Sequence, residues 1–183
     1  VSGMGEKPKR YIPLSPSSRI EYLENSHQDS IEELKHGLEH MKLDEEAFDF
    51  WHIHGYKNLI LKLKEAIKAA QEKLFISAWK REIDALNIEL DDAEERGLEM
   101  TVFSFCALNK EYGKTISYGL DENELREIWS PKVIMVTDQD TTIMGSARDQ
   151  DNSRAILTQN EAITEIATNH IILDITLAGS RMD

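Results

Sequence analysis

Four residues in the last third of the chain have the types and spacing to act on a phosphate ester. Lys132 is followed six residues later by Asp138, and Gly145-Ser146 follows Asp138 after six more residues. A lysine can neutralise a phosphate, and a serine hydroxyl can donate a hydrogen bond to it. A covalent mechanism would also need an activated nucleophile such as a histidine, but Ser130 stands two residues before Lys132.

This stretch resembles the phospholipase D signature H-x-K-x4-D-x6-G-S, in which the histidine is the nucleophile. Lys132 occupies the lysine position, and Ser130 replaces the histidine. Thr137 stands where the acidic residue belongs relative to Lys132, so Asp138 is one residue out of register. The resemblance implies a phospholipase-D-like scaffold without its catalytic residues. A plain β-hairpin in an α/β core is the alternative.

The composition restricts the class of protein. The chain has 183 residues, 40% of them hydrophobic and 30% charged, which is enough for one domain with a sizeable core. A formal net charge of −13 disfavours direct binding to DNA or to an anionic membrane. The single cysteine, Cys106, cannot form an internal disulfide. Because neither a signal peptide nor a long apolar run is present, we expect a cytoplasmic protein without a membrane partner.

The first element that must position these residues is a long helix. Ser15 can cap it, with Pro16 at the first helical position. Apolar residues then recur at the spacing of a heptad seam on an otherwise polar helix, which favours pairing with a second copy of the chain. Packing onto its own domain is the alternative. We predict a dimerising coiled coil over residues 15–43, with a seam formed by Ile20, Leu23, Ile31, Leu34, Leu38 and Met41.

From Gly55 onward, helical and strand patterns alternate. Leu59, Leu63 and Ile67 define one apolar helix face. Strand patterns at 73–79 and 100–105 enclose a second helix over 83–93, a βαβ spacing that implies parallel pairing. Residues 109–118 suggest an excursion or an edge hairpin, and 154–157 a short strand. Capping boxes are expected to start two further helices, at Asp121 with Glu124 and at Thr158 with Glu161.

The order of these pieces carries a wider resemblance. A basic segment, Lys7-Pro8-Lys9-Arg10-Tyr11-Ile12-Pro13-Leu14, precedes the heptad helix, a Gly-containing strand, a Lys-rich amphipathic helix and the degenerate phospholipase D motif. This order resembles the TrmB family of winged-helix transcriptional regulators, many of them sugar-responsive. The resemblance implies that residues 1–14 are a remnant of the DNA-binding domain, 15–43 the dimerising helix, and 44–183 a phospholipase-D-like effector-binding domain.

The same resemblance has implications for the fold and for the partners of the chain. It implies an α/β fold with a phospholipase-D-like mixed sheet flanked by helices and preceded by the coiled-coil helix. DNA would be contacted by a domain outside this chain. Longer members of the family carry a further C-terminal domain that contributes sugar contacts, and we expect this sequence to lack it. The class of ligand therefore stays open.

A ligand site is expected at one edge of the sheet, because open α/β sheets bind ligands beyond the carboxyl ends of parallel strands. Trp79 or Trp129 could stack on the ring of a polyol or a sugar phosphate, while Lys132 and Arg148 pair with an anionic group. Core packing of the tryptophans and an exposed edge charge at Lys132 are the alternatives. The predicted binding residues are Ser77, Trp79, Ser104, Cys106, Trp129, Lys132, Ser146 and Arg148.

Two histidine pairs have metal-compatible spacing, His52 with His54 on a strand and His36 with His40 on the long helix. Neither has an evident third ligand, so we expect no metal and no cofactor. The favoured function is an effector-sensing and dimerisation domain, not an enzyme. One alternative is a phosphodiesterase, which would need His54 or His170 to reach Lys132, an approach that the sequence does not suggest. The other is a coiled-coil interaction module without a ligand.

Overall fold

The computed structural model describes residues 50–148 and 152–182, together with residues 17, 20, 21, 25, 28, 31 and 32. The chain divides into two units, Val1–Ala47 and Phe48–Asp183. The seven described residues of the first unit are helical and exposed, among them Ile20 and Ile31 of the predicted seam. Residues 1–14 and the other seam residues lie outside the described part, so the dimeric coiled coil stays a prediction; these residues are Leu23, Leu34, Leu38 and Met41.

Seven strands of the second unit form one mixed sheet. They are β1 (Trp51–His54), β2 (Lys73–Ser77), β3 (Glu99–Cys106), β4 (Lys114–Leu120), β5 (Lys132–Thr137), β6 (Thr141–Ser146) and β7 (Arg154–Thr158). Their order across the sheet is β1-β7-β6-β5-β2-β3-β4. β3 pairs in parallel with β2 and with β4, and the remaining pairs are antiparallel. The predicted mixed α/β sheet is confirmed.

Helices cover both faces of this sheet. They are α1 (Tyr56–Ala69), α2 (Lys80–Ala85), α3 (Asn87–Glu95), α4 (Glu122–Ile128) and α5 (Glu161–Met182). Because side chains alternate along a strand, Leu74 of β2 packs with the core under α1 and α3, whereas its neighbour Phe75 packs with Ile171 of α5. The predicted face of α1 is buried through Leu59, Leu63 and Ile67. None of the described helices is long and apolar enough to cross a membrane.

Two predicted elements differ in the structure. The helix expected over 83–93 is two helices, α2 and α3, which meet at Leu86. Leu86 is fully buried, so the apolar periodicity continues across the break and conceals it. Residues 114–120 form β4, which lies at the sheet edge as expected but pairs in parallel with β3, so the hairpin alternative is wrong.

The two predicted helix caps have different outcomes. The Asp121 carboxylate accepts hydrogen bonds from the Asn123 and Glu124 amides at 2.9 and 3.2 Å, which confirms the cap of α4. The cap predicted at Thr158 is wrong, because Thr158 is the last residue of β7 and pairs with Thr142. Asn160 caps α5 instead, since its Oδ1 accepts from the amide of Ile163 at 3.2 Å.

Candidate functional site

The acidic turn between β5 and β6 serves the fold. Asp138 and Gln139 both have positive φ, 51° and 57°, which makes the tight reversal. The Asp138 carboxylate accepts hydrogen bonds from the backbone amides of Gln71, Glu72 and Lys73 at 2.9, 2.8 and 2.9 Å. Burial acts to raise the pKa of Asp138, but these hydrogen bonds outweigh it and hold the pKa below its usual value.

This arrangement gives Asp138 a clear structural role. The carboxylate ties the connection between α1 and β2 to the β5–β6 turn. Lys132 begins β5, and Asp138 follows its last residue, so the two side chains lie at opposite ends of this strand. Asp138 is therefore not a partner of Lys132 in one site.

The Gly145-Ser146 pair also serves the sheet. A Cβ added at Gly145 would lie 2.6 Å from the Ala155 Cβ, and closer still to the Arg154 carbonyl oxygen, so only glycine admits β7 at this distance. The Ser146 hydroxyl accepts a hydrogen bond from the Arg154 amide at 3.2 Å and donates one to the Arg154 carbonyl oxygen at 3.4 Å. Ser146, a predicted binding residue, does not line the cleft described next.

A cleft of about 450 Å³ lies on the α5 side of the sheet. The indole of Trp79 is buried, whereas that of Trp129 is half-exposed. Lys132 and Arg148 are exposed, and the Arg148 Nη2 donates to the Ser130 hydroxyl at 3.2 Å. The structure thus brings together five of the eight predicted binding residues, Ser77, Trp79, Trp129, Lys132 and Arg148.

Two further predicted residues are buried and do not line this cleft. Ser104 is fully buried, and its hydroxyl accepts from the Cys106 amide at 3.2 Å. Cys106 is also fully buried and packs with Trp79 and Leu125. Burial raises the pKa of the Cys106 thiol. No contact described here supports a ligand role for either residue, and that role stays a prediction.

Helix α5 contributes two cleft residues that are not among the predicted binding residues. His170 and Asp174 line the same cleft as Lys132, with the His170 Nε2 3.7 Å from the Asp174 Oδ2. Burial raises the pKa of Asp174, and the charge of His170 opposes this effect. The sequence did not suggest that His170 approaches Lys132, yet both residues line this cleft. The spacing of four residues between His170 and Asp174 in a mostly apolar helix was the signal that could have placed both on one face.

Aromatic and aliphatic side chains complete the walls of the cleft. The rings of Phe105 and Trp129 meet edge to face, with centroids 5.3 Å apart and planes at 74°. Ile128 and Ile134 lie beside them. The cleft thus combines apolar walls with two exposed cations, a histidine and a half-buried carboxylate. Such a site suits a small ligand that has a ring and an anionic group.

No metal centre is formed among the residues that the structure describes, where no group of three or more histidine, cysteine or acidic side chains converges. The rings of His52 and His54 have centroids 6.4 Å apart on the edge strand β1. The other predicted pair, His36 and His40, lies outside the described residues.

Comparison with known proteins identifies the family. Residues 49–170 match the family described as transcriptional regulator TrmB, EBD N-terminal subdomain. The chain belongs to the TrmB family. This confirms the resemblance found in the sequence. The TrmB-family chain is also 22% identical over 176 residues to the uncharacterized protein YrhO of Bacillus subtilis (strain 168), an alignment that covers 94% of this chain and 63% of YrhO.

Three solved structures are similar to this chain to different degrees. The TrmB-family chain resembles TrmBL2, described as an archaeal chromatin protein with a novel mode of DNA binding, with a TM-score of 0.51, 17% identity, and coverage of 85% of this chain and 62% of TrmBL2. NucT from Helicobacter pylori gives a TM-score of 0.49 at 12% identity, covering 70% of this chain and 97% of NucT. Nuc from Salmonella typhimurium, a phospholipase D family member, gives 0.47 at 15% identity, covering 70% and 94%. The chain spans less than two thirds of YrhO and of TrmBL2.

Proposed function

We propose that this TrmB-family chain is the effector-sensing domain of a transcriptional regulator, and that its cleft binds a small anionic ligand such as a sugar phosphate. The observation that carries this proposal is the presence of Lys132 and Arg148 beside Trp129 in one cleft. An ammonium and a guanidinium suit a phosphate group, and an indole suits the face of a sugar ring. A volume of about 450 Å³ lies in the range of small-molecule sites.

The signal would pass to DNA through the N-terminal part of the chain. We propose that residues 15–43 pair two copies, and that a winged-helix domain beyond residues 1–14 contacts DNA. TrmBL2 is described as binding DNA, which supports a DNA partner for the complete regulator. A formal charge of −13 disfavours DNA contacts by this chain itself, so we assign them to another part of the regulator. Ligand binding would favour one arrangement of the paired helices and thereby the spacing of the DNA-binding heads.

We propose that the cleft binds its ligand without hydrolysing it. Ser130 occupies the position of the phospholipase D nucleophile, and its hydroxyl accepts a hydrogen bond from Arg148. A serine alcohol has no general base at this position among the described contacts. The family membership supports this conclusion, because the matched domain is that of a transcriptional regulator.

Phosphodiester hydrolysis is the second candidate function, because His170 and Asp174 line the same cleft as Lys132. An imidazole beside a carboxylate could act as a nucleophile or a base. The direct test is turnover of bis(p-nitrophenyl) phosphate by the purified chain. We expect none above the buffer rate. Turnover that is lost in both His170→Ala and Lys132→Ala would replace the binding proposal with an enzymatic one.

A thermal-shift experiment tests the binding proposal. Wild-type chain is titrated with inorganic phosphate, glucose 6-phosphate and glucose. A ligand at one hundred times its Kd stabilises the folded state by about 2.7 kcal/mol, which raises the Tm by roughly 5–10 °C for a chain of this size. We expect that response from glucose 6-phosphate, less from phosphate, and none from glucose at the same concentration.

Two variants locate the response. Lys132→Ala should weaken binding of glucose 6-phosphate about tenfold, since a charge-assisted hydrogen bond is lost, and so halve the shift. Lys57→Ala is the matched control, because Lys57 is exposed on α1, on the opposite face of the sheet, and should leave the shift unchanged. Equal shifts in both variants would place binding elsewhere. No response to a broad panel of sugars, sugar phosphates and nucleotides would favour an interaction module without a ligand.

A further inference from the structure

We propose that Arg81 is a positioning residue that fixes Arg148 in the cleft by holding the backbone immediately before it. This inference rests on the proposed function of the cleft as an anion site. Arg81 itself does not line the cleft. It lies on α2 and donates to the carbonyl oxygen of Ala147, so it would act on the ligand only through Arg148.

The guanidinium of Arg81 is anchored on three sides. It lies 4.2 Å above the ring of Tyr56, a cation–π contact that fixes its plane. Its Nε donates to the Glu82 Oε1 at 2.8 Å. Its Nη2 donates to the carbonyl oxygen of Ala147. A planar guanidinium can make these contacts at the same time, because its donors project in a rigid fork.

The partner carboxylate is itself immobilised. Glu82 is fully buried. Burial raises the pKa of Glu82, and the adjacent Arg81 charge acts to lower it. The Arg81 backbone amide also donates to the Glu122 Oε2 at 3.2 Å, which ties the start of α2 to α4. The Arg81 guanidinium is thus held by contacts that involve α2, α4 and the Tyr56 ring. Its Nη2 therefore points in one direction, toward the Ala147 carbonyl oxygen.

The backbone that Arg81 holds belongs to no strand or helix. Ala147 and Arg148 follow the last residue of β6, where the sheet ladder no longer positions the chain. The Ala147 amide donates to the Pro131 carbonyl at 2.9 Å, and its carbonyl accepts from Arg81. The Arg148 carbonyl accepts from the Ser153 hydroxyl. Removing the Arg81 contact would free the peptide plane between Ala147 and Arg148, and with it the direction of the Arg148 side chain.

The test is the substitution Arg81→Lys in the full chain. The lysine ammonium would keep a positive charge beside Glu82 but cannot reach both Glu82 and Ala147. Arg96→Lys is the matched control, because the Arg96 guanidinium likewise donates to backbone carbonyl oxygens, in its case those of Ala70 and Ile67 at 2.6 and 2.8 Å, yet does not line the cleft. Both variants lose a similar helix-anchoring contact, and only Arg81→Lys should affect Arg148.

Two readouts are measured. The first is calorimetric titration with inorganic phosphate and with glucose 6-phosphate: we expect about tenfold weaker binding for Arg81→Lys and less than a twofold change for Arg96→Lys. In an Arg148→Ala background, Arg81→Lys should cause no further loss, which a general effect on stability would not produce. The second is hydrogen exchange of the Ala147 amide, expected to be about tenfold faster in Arg81→Lys than in Arg96→Lys.

The outcomes separate this inference from the function on which it rests. Additive losses in the Arg148→Ala background, or unchanged exchange at Ala147, overturn the positioning role. Failure of wild-type chain to bind either probe counts against the anion site, and the exchange rate then decides the positioning role alone. If Arg81→Lys does not fold, the double variant Arg81→Gln/Glu82→Gln removes the buried charge pair together and is compared by the same two measurements.

Discussion

Replacement of Asp138 by asparagine tests whether the acidic residue of the motif-like stretch supports the fold or the chemistry. The carboxylate accepts three backbone hydrogen bonds, from Gln71, Glu72 and Lys73. Asparagine tolerates the positive φ of 51° at this position, so the backbone conformation is kept. Its amide oxygen can still accept from Glu72 and Lys73, but its NH2 group faces the Gln71 amide.

The expected loss follows from these contacts. A hydrogen bond to a charged group contributes about 1.5–3 kcal/mol, and Asp138 is only half-buried, so we take about 2 kcal/mol for the lost bond to Gln71. That corresponds to a Tm lower by roughly 4–8 °C. Because the folded state holds the pKa of Asp138 below its usual value, the stabilisation is present above about pH 4 and is lost as the pH falls through the folded pKa.

Urea unfolding at pH 7 and at pH 3 measures both effects. The free-energy difference between wild type and Asp138→Asn should be largest at pH 7 and should shrink at pH 3. Asp140→Asn, in the same turn, is the control. Asp140 is exposed, and its Oδ2 accepts from the Gln159 amide group and the Thr141 hydroxyl, which an asparagine oxygen can also do, so stability should change by less than about 0.5 kcal/mol. A wild-type-like stability for Asp138→Asn, combined with loss of glucose 6-phosphate binding, would refute the structural assignment.

Three further predictions concern stability and reactivity. Gly145→Ala should destabilise the chain by about 3 kcal/mol in urea unfolding, because its Cβ would clash with β7, whereas Gly97→Ala, strained but unobstructed at φ +82°, should cost about 1 kcal/mol. Cys106 should resist a disulfide thiol reagent at pH 8 until the chain is unfolded, because it is buried and its thiol pKa is raised; rapid native labelling would contradict this. Thr142→Val should cost about 1 kcal/mol, since the buried hydroxyls of Thr142 and Thr164 lie 2.9 Å apart; an unchanged unfolding midpoint would show that this contact contributes nothing.

Much of the fold could be predicted because side-chain periodicity reports which face of each element is buried. Leu59, Leu63 and Ile67 recur at helical spacing, and all three are fully buried on the face of α1 that meets the sheet. Asp121 lies just before a helical pattern and caps it. The apolar spacing continues through Leu86 although the helix ends there and a new one begins. The spacing therefore did not predict the boundary between α2 and α3. It also could not exclude Thr158 as a cap, because the strand pairing that engages Thr158 is a long-range contact.

The cleft residues at the ends of strands could be predicted from the sequence. Those on the face of a helix could not. Ser77, Trp79 and Lys132 adjoin strand ends of the sheet, and they line the cleft. His170 and Asp174 come from α5, which exposes Ile166, Leu173 and Leu177 while burying Ile171 and Ala178. With apolar residues on both sides of the helix, the pattern did not show which face meets the sheet. The role of Arg81 could not be predicted from the sequence, because its contacts join segments that are distant in the chain.

The position of Ser130 separates the cleft surface from the contacts that support the fold of this stretch. Ser130 is exposed at the cleft, and its side chain makes only the Arg148 contact among the hydrogen bonds described here. Other residues of this stretch, Asp138 and Gly145, make the contacts that support the fold. An imidazole could therefore be installed by Ser130→His without disturbing the turn or the strand contact. Foldability and reactivity can thus be engineered separately in this stretch.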